Sequence, residues 1–198
     1  METKLQTISW RQKLPLWITY SRILAVPFLL AALYPNTSEG NVIAAVLFIF
    51  ASGSDFWDGY FARKFNAVSV MGQFMDPIAD KILVTSTLVL LIPQNKIDAL
   101  MVILILARDT FIGGLRSVAA SEQIIISAKP TGKWKTALQM GAIPALIINE
   151  PFWGIHFGKV GYWSLWISVI LSLASGFEYY VGYLKERKAI KKKKLESF

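Results

Sequence analysis

Six apolar stretches divide the chain, at 14–34, 42–61, 70–92, 100–120, 134–148 and 160–184. Most have about the 17 to 25 residues that a helix needs to cross a hydrocarbon layer. The separators YPNTSEGN, RKFNA, PQNKID, SEQIIISAKPTGK and NEPFWGIHFGKVG carry Pro, Gly or Asn where helices stop. The pattern predicts an all-α membrane protein of six transmembrane helices forming one domain over 1–198, without internal repeats. Ahead of the first stretch, residues 1–13 are polar and basic. Ile8 and Trp10, flanked by Lys4, Arg11 and Lys13, predict a short amphipathic juxtamembrane helix along the membrane surface. A cleavable leader is not expected, because Thr19 and Arg22 interrupt the apolar run that would form its centre.

Composition supports the same class. Hydrophobic residues make up 54% of 198 and charged residues 17%, while seven Trp and seven Tyr supply candidates for interfacial belts. The absence of cysteine excludes disulfides and thiolate metal sites. The net charge of +8 becomes informative once it is located. Fifteen Lys and Arg fall in the N-terminus, the second and fourth separators with the start of the fifth stretch, and the tail, whereas the opposite loops hold only Lys96 and Lys159. Both termini are therefore expected to face the cytoplasm. The tail over 185–198, with its KERKAIKKKK run, reads as a topogenic segment attracted to anionic membrane lipid; no nucleic-acid partner is expected.

Against this apolar background the segment DFWDGYFARKFNAVSVMGQFMDPIAD sets aspartates at 55, 58, 76 and 80. One carboxylate at the centre of a spanning helix costs roughly 2.5 to 3.5 kcal/mol, so four demand compensation. At 100° per residue Asp55, Asp58, Gly59 and Ala62 share one helical face, and Gly72, Asp76 and Asp80 another. With a turn near residues 65–67, Asp55 and Asp76 lie at matching depth, and two acidic stripes face each other. Structural ion pairs with Arg22, Arg63, Lys81 or Arg116 are one explanation. Bound divalent metal is the other, since clustered carboxylates otherwise raise each other's pKa and neutralise. Oxygen-only ligands favour Mg²⁺ or Mn²⁺ over zinc. His156, alone in an outer loop, reads as a surface residue.

The pattern D-x2-D-G-x2-A-R-x8-G-x3-D-x3-D, formed by Asp55, Asp58, Gly59, Ala62, Arg63, Gly72, Asp76 and Asp80, resembles the signature of the CDP-alcohol phosphatidyltransferases. Pro15, Thr19 and Arg22 resemble that family's P-x3-T-x2-R motif in the first helix, with Leu16 where Asn is frequent. The stretches ARDTFIGGLR and GKWKTALQ resemble the subgroup that uses glycerol 3-phosphate, although Asp109 stands where Glu is more usual. The resemblance implies two metal ions held by Asp55, Asp58, Asp76 and Asp80 against the pyrophosphate of CDP-diacylglycerol. It implies Asp80 as the base that deprotonates the acceptor hydroxyl, and Thr19, Gly59, Ala62, Arg63 and Gly72 around the CDP-lipid. A homodimer in a bacterial inner membrane, with the polar active-site cavity open to the cytoplasm, is implied as well.

For the acceptor phosphate, Arg116, Lys133 and Lys135 form the candidate basic pocket, with positive-inside anchoring as the plainer explanation. Inositol phosphate, serine or phosphatidylglycerol as acceptor remains open, because the aspartate signature concerns only the donor. From another class, intramembrane acids also suit a cation transporter. Against that, Arg22, the four aspartates and Arg116 are all expected in the cytoplasmic halves of their helices, which describes a cavity rather than a path.

Overall fold

The computed structural model describes residues 10–64, 70–124, 131–152 and 154–196. Among these, six helices form: α1 (Trp10–Leu33), α2 (Ser38–Lys64), α3 (Val70–Leu91), α4 (Ala99–Ser121), α5 (Thr131–Ile148) and α6 (Phe157–Glu196). Between α5 and α6, β1 (Pro151–Phe152) pairs antiparallel with β2 (Ile155–His156) around Gly154, whose φ of 79° suits glycine. His156 is exposed there.

Asparagine ends three of the helices, as the separators suggested. Asn36, Asn95 and Asn149 take left-handed φ values of 52°, 55° and 51° just past α1, α3 and α5, where their short amide side chain lowers the cost of that conformation. Gln123 does the same after α4 at 56°. There the Gln123 and Ile124 N–H groups donate back to the carbonyls of Ala120 and Ala119.

Two expectations change. Trp10–Lys13 is no separate juxtamembrane helix but the opening of α1, since nothing before Leu14 stops a helix; Lys4 and Ile8 lie outside the described residues. At the other end the tail is helical. α6 runs 40 residues to Glu196, well past the apolar stretch, because Lys, Arg, Glu, Ala and Leu are strong helix formers and no Gly or Pro intervenes after Gly182.

The helices pack in the order α3, α1, α2, α5, α6, α4, and a thinner contact between α3 and α4 returns to the start. The main apolar core fills one half of this bundle. It comprises the C-terminal halves of α1, α3 and α5 and the N-terminal halves of α2, α4 and α6, including Leu29, Leu33, Phe48, Leu83, Leu88, Met101, Ile143, Leu146 and Leu165. This half lies away from the chain termini. Trp17 and Trp134 are exposed towards the termini, and Tyr34 and Trp163 towards the far end. Among the described residues one helix, over Phe157–Ile190, is long and apolar enough by itself to cross a membrane, and Trp17–Leu33 and Ser38–Ser54 are shorter apolar stretches.

Candidate active site

The acidic signature occupies the end of α2 and the start of α3. Asp55, Asp58, Gly59, Ala62 and Arg63 are on α2; Gly72, Asp76 and Asp80 are on α3. The side chains of 55–64 and of 70–74, together with residues 65–69, lie outside the described residues. Asp76 and Asp80 stand one turn apart on a shared face, each half-buried. Pro77 follows Asp76 inside α3 and has no N–H, so it offers no backbone donor to the carbonyl four residues back, in the turn that carries the acids.

Helix α1 connects the two acidic helices. Thr19, 1% exposed, donates its hydroxyl to Asp76 Oδ1 at 2.5 Å, which fixes that carboxylate from the opposite helix. One turn on, Arg22 is also 1% exposed. Its Nε donates to the Ala51 carbonyl at 3.0 Å and to Ser54 Oγ at 3.3 Å, and Nη2 donates to the same hydroxyl at 3.2 Å. Arg22 thus ties α1 to α2 in the turn that immediately precedes Asp55. Burying a guanidinium is expensive unless its donors are matched, so this position specifies the α1–α2 register closely.

Among the described residues no group of three His, Cys, Asp or Glu converges. The side chains of Asp55 and Asp58, the other two acids of the signature, lie outside those residues. The donors at hand on α3 are carboxylate oxygens, one of them held by a hydroxyl, and this chemistry suits a hard divalent ion such as Mg²⁺ or Mn²⁺.

A basic region lies across α4, α5 and α6. Arg108 donates from Nε to the Ser172 carbonyl at 3.0 Å, from Nη2 to Ser175 Oγ at 2.8 Å, and from Nη1 to Asp109 Oδ1 at 2.8 Å. The same Oδ1 accepts from Lys135 Nζ at 2.7 Å. Lys81, beside Asp80 on α3, brings its ammonium to 3.8 Å from where a Cβ on Gly113 of α4 would stand. Gln139 is one turn from Lys135 on the same face of α5 and is nearly buried. Beside Arg108, α4 and α6 also border a groove of about 340 Å³ lined by Leu104, Phe111, Ile112, Leu173 and Phe177.

Of the three residues expected around an acceptor phosphate, Lys135 and Arg116 have described side chains, and their contacts differ. Lys135 is tied to Asp109, whereas Arg116, seven residues further along α4, is exposed and stacks on Tyr179 with 5.4 Å from guanidinium carbon to ring centroid. The Lys133 side chain lies outside the described residues. Arg108, Asp109 and the α6 serines were absent from the sequence-derived site. Their signal was an ionisable pair inside an apolar helix, itself a mark of functional or structural commitment.

Comparison with known proteins adds an independent line. Residues 12–174 match the family model described as CDP-alcohol phosphatidyltransferase. A Rickettsia felis protein named CDP-diacylglycerol–glycerol-3-phosphate 3-phosphatidyltransferase is 37% identical over 170 residues, covering 85% of this chain and 94% of the relative. A Bacillus subtilis protein of the same name is 37% identical over 180 residues, covering 84% and 93%. A Yersinia enterocolitica protein, again of that name, is 30% identical over 170 residues, covering 84% and 92%.

Proposed function

The chain belongs to the CDP-alcohol phosphatidyltransferase family, and from that premise we propose that it is the enzyme that transfers the phosphatidyl group of CDP-diacylglycerol to glycerol 3-phosphate. The products are phosphatidylglycerophosphate and CMP, which makes this a step of phospholipid biosynthesis. The observation that carries the reading is the 37% identity to relatives of that one name over 85% of the chain. The unbroken aspartate signature agrees with it.

In this reading Asp55, Asp58, Asp76 and Asp80 hold two divalent ions, Mg²⁺ or Mn²⁺. When bound, such a pair neutralises the pyrophosphate and stabilises the entering and leaving oxygens. The chain's own residues do the rest. Thr19 keeps the Asp76 carboxylate oriented, a role supported by its hydrogen bond. Asp80 takes the proton of the acceptor hydroxyl while that oxygen bonds to the β-phosphorus and the bond to CMP breaks. Gly59, Ala62 and Gly72 give the nucleotide room, and Arg63 stands beside it. Arg116, Lys133 and Lys135 neutralise the acceptor phosphate.

All six helices cross a bacterial inner membrane, with both termini and the cavity on the cytoplasmic side, and the enzyme works as a homodimer. Support for the crossing comes from Trp17 and Tyr34, which are exposed at levels about 25 Å apart along α1, close to the thickness of a hydrocarbon layer. A transport path is disfavoured by the packed core in the far half of the bundle.

The test is CMP release from CDP-diacylglycerol by the purified chain, with a panel of acceptors. Release is expected with glycerol 3-phosphate and not with serine, inositol phosphate or glycerol, to vanish with a chelator and to return with Mg²⁺ or Mn²⁺. Equal release with any of the other acceptors would overturn the assignment.

A further inference from the structure

Arg108, Asp109 and Lys135 form a relay that begins on α6 and ends on α5. Its first member is anchored. Three separate bonds occupy the Arg108 fork, two of them to α6, and the helices approach closely there because residue 176 is glycine. A Cβ at that position would stand 3.3 Å from Arg108 Nε and 3.4 Å from its Cγ. The last member is different. Among the described residues the Lys135 ammonium is bonded to Asp109, and an ammonium carries three donors. Its side chain is 9% exposed, so a long, flexible cation is held in one place within a largely desolvated seam. Ser168 donates to the Lys135 carbonyl at 3.0 Å and fixes the same turn of α5 to α6.

Two cations share one carboxylate oxygen, and the Lys81 ammonium approaches α4 nearby. An ammonium with one of its three donors on Asp109 retains capacity for a phosphate dianion, which takes several donors.

We propose that Asp109 is a positioning residue for the acceptor: it transmits the anchorage of Arg108 to Lys135 and holds that ammonium where the acceptor phosphate arrives. This rests on the reading that Lys135 meets that phosphate. Asp109 itself touches no substrate. Its role is to remove the rotamer freedom that a lysine would otherwise lose on binding, so its effect belongs in acceptor affinity rather than in the chemical step.

The experiment measures CMP release by the full chain in lipid vesicles while each substrate is varied in turn. Asp109→Asn is expected to raise the acceptor KM about tenfold, with the donor KM and saturated rate within about twofold. Arg108→Lys, which keeps the charge and loses the fork, is expected to raise the acceptor KM about threefold in the same way. In a Lys135→Met background, Asp109→Asn is expected to add nothing, since the two act as one unit. If Lys135→Met alone leaves the acceptor KM unchanged, the underlying placement of Lys135 fails and the proposal with it. If Lys135→Met raises it while Asp109→Asn does not, only the positioning role fails. Equal changes in both KM values together with a lower unfolding temperature would make Asp109 a structural tie and overturn the proposal. Should Asp109→Asn not fold, Arg108→Lys decides: an unchanged acceptor KM is fatal.

Discussion

The two halves of the bundle place their polar contacts differently, at the helix ends in one and between the helices in the other. In the half away from the termini, side chains close backbone ends. Gln94 Nε2 donates to the Leu33 carbonyl at the end of α1 at 2.7 Å, and Lys96 Nζ to the Ile147 carbonyl at the end of α5 at 2.8 Å. Between these caps the interior is apolar and closely packed. In the half nearer the termini, polar side chains hold other side chains across helices: Thr19 to Asp76, Arg22 to Ser54, Arg108 to Ser175 and Lys135 to Asp109. Among the described residues the apolar cluster at that end is small, built on Ala119, Ile124 and Tyr183. Dry packing in one half supplies stability, and that allows the other to keep charges close together and available for chemistry.

This division can be broken most severely at Asp80. If the half near the termini is built for reaction rather than stability, Asp80→Asn should lower the saturated rate by about 10² to 10⁴-fold, the range of a positioned general base, while CDP-lipid binding and the unfolding temperature stay near the parent's. A loss of donor binding as large as the loss of rate would make Asp80 chiefly a metal ligand. The converse substitution belongs in the far half. Leu83 is fully buried in the core, so Leu83→Ala should cost about 2 to 4 kcal/mol of unfolding free energy through lost contacts and a cavity, with turnover per folded molecule retained. A Leu83→Ala protein that kept its stability and lost its turnover would erase the distinction between the halves.

The same division explains what could be read from the sequence. Helices showed up as apolar runs, and their ends as Asn, Gly and Pro, because both depend on neighbouring residues. The four aspartates and Thr19 stood out because an acid or a motif inside an apolar stretch has few cheap explanations. The helical tail was missed because the reading followed hydrophobicity, while helix formation in a Lys- and Glu-rich run follows propensity. Long-range partners were missed for another reason. Asp109 and Lys135 are 26 positions apart, and Arg108 reaches Ser175 across 67; only the packing of α4 against α6 and of α5 beside it brings them together. Lys135 could be singled out as a candidate for the acceptor phosphate, but not as a cation held by a carboxylate.

The smallest expected effect tests the capping half through Lys96. Burial pushes its ammonium down to about 8 from 10.5, and the nearby charge of Glu150 opposes this only in part. Below pH 8 the group is charged in both the folded and unfolded chains, and the folded state bears the burial penalty. Between about 8 and 10.5 the folded chain releases a proton that the unfolded chain still holds, so the unfolded state binds more protons and stability rises with pH across that window. The measurement is the unfolding temperature from pH 7 to 10.5 for the parent and for Lys96→Met. The difference between the two should be flat up to pH 8 and then move in the parent's favour. A difference that stays flat to pH 10.5 would mean that Lys96 keeps its ordinary pKa and caps α5 from water, which would make the far end as wet as the end that holds the aspartates.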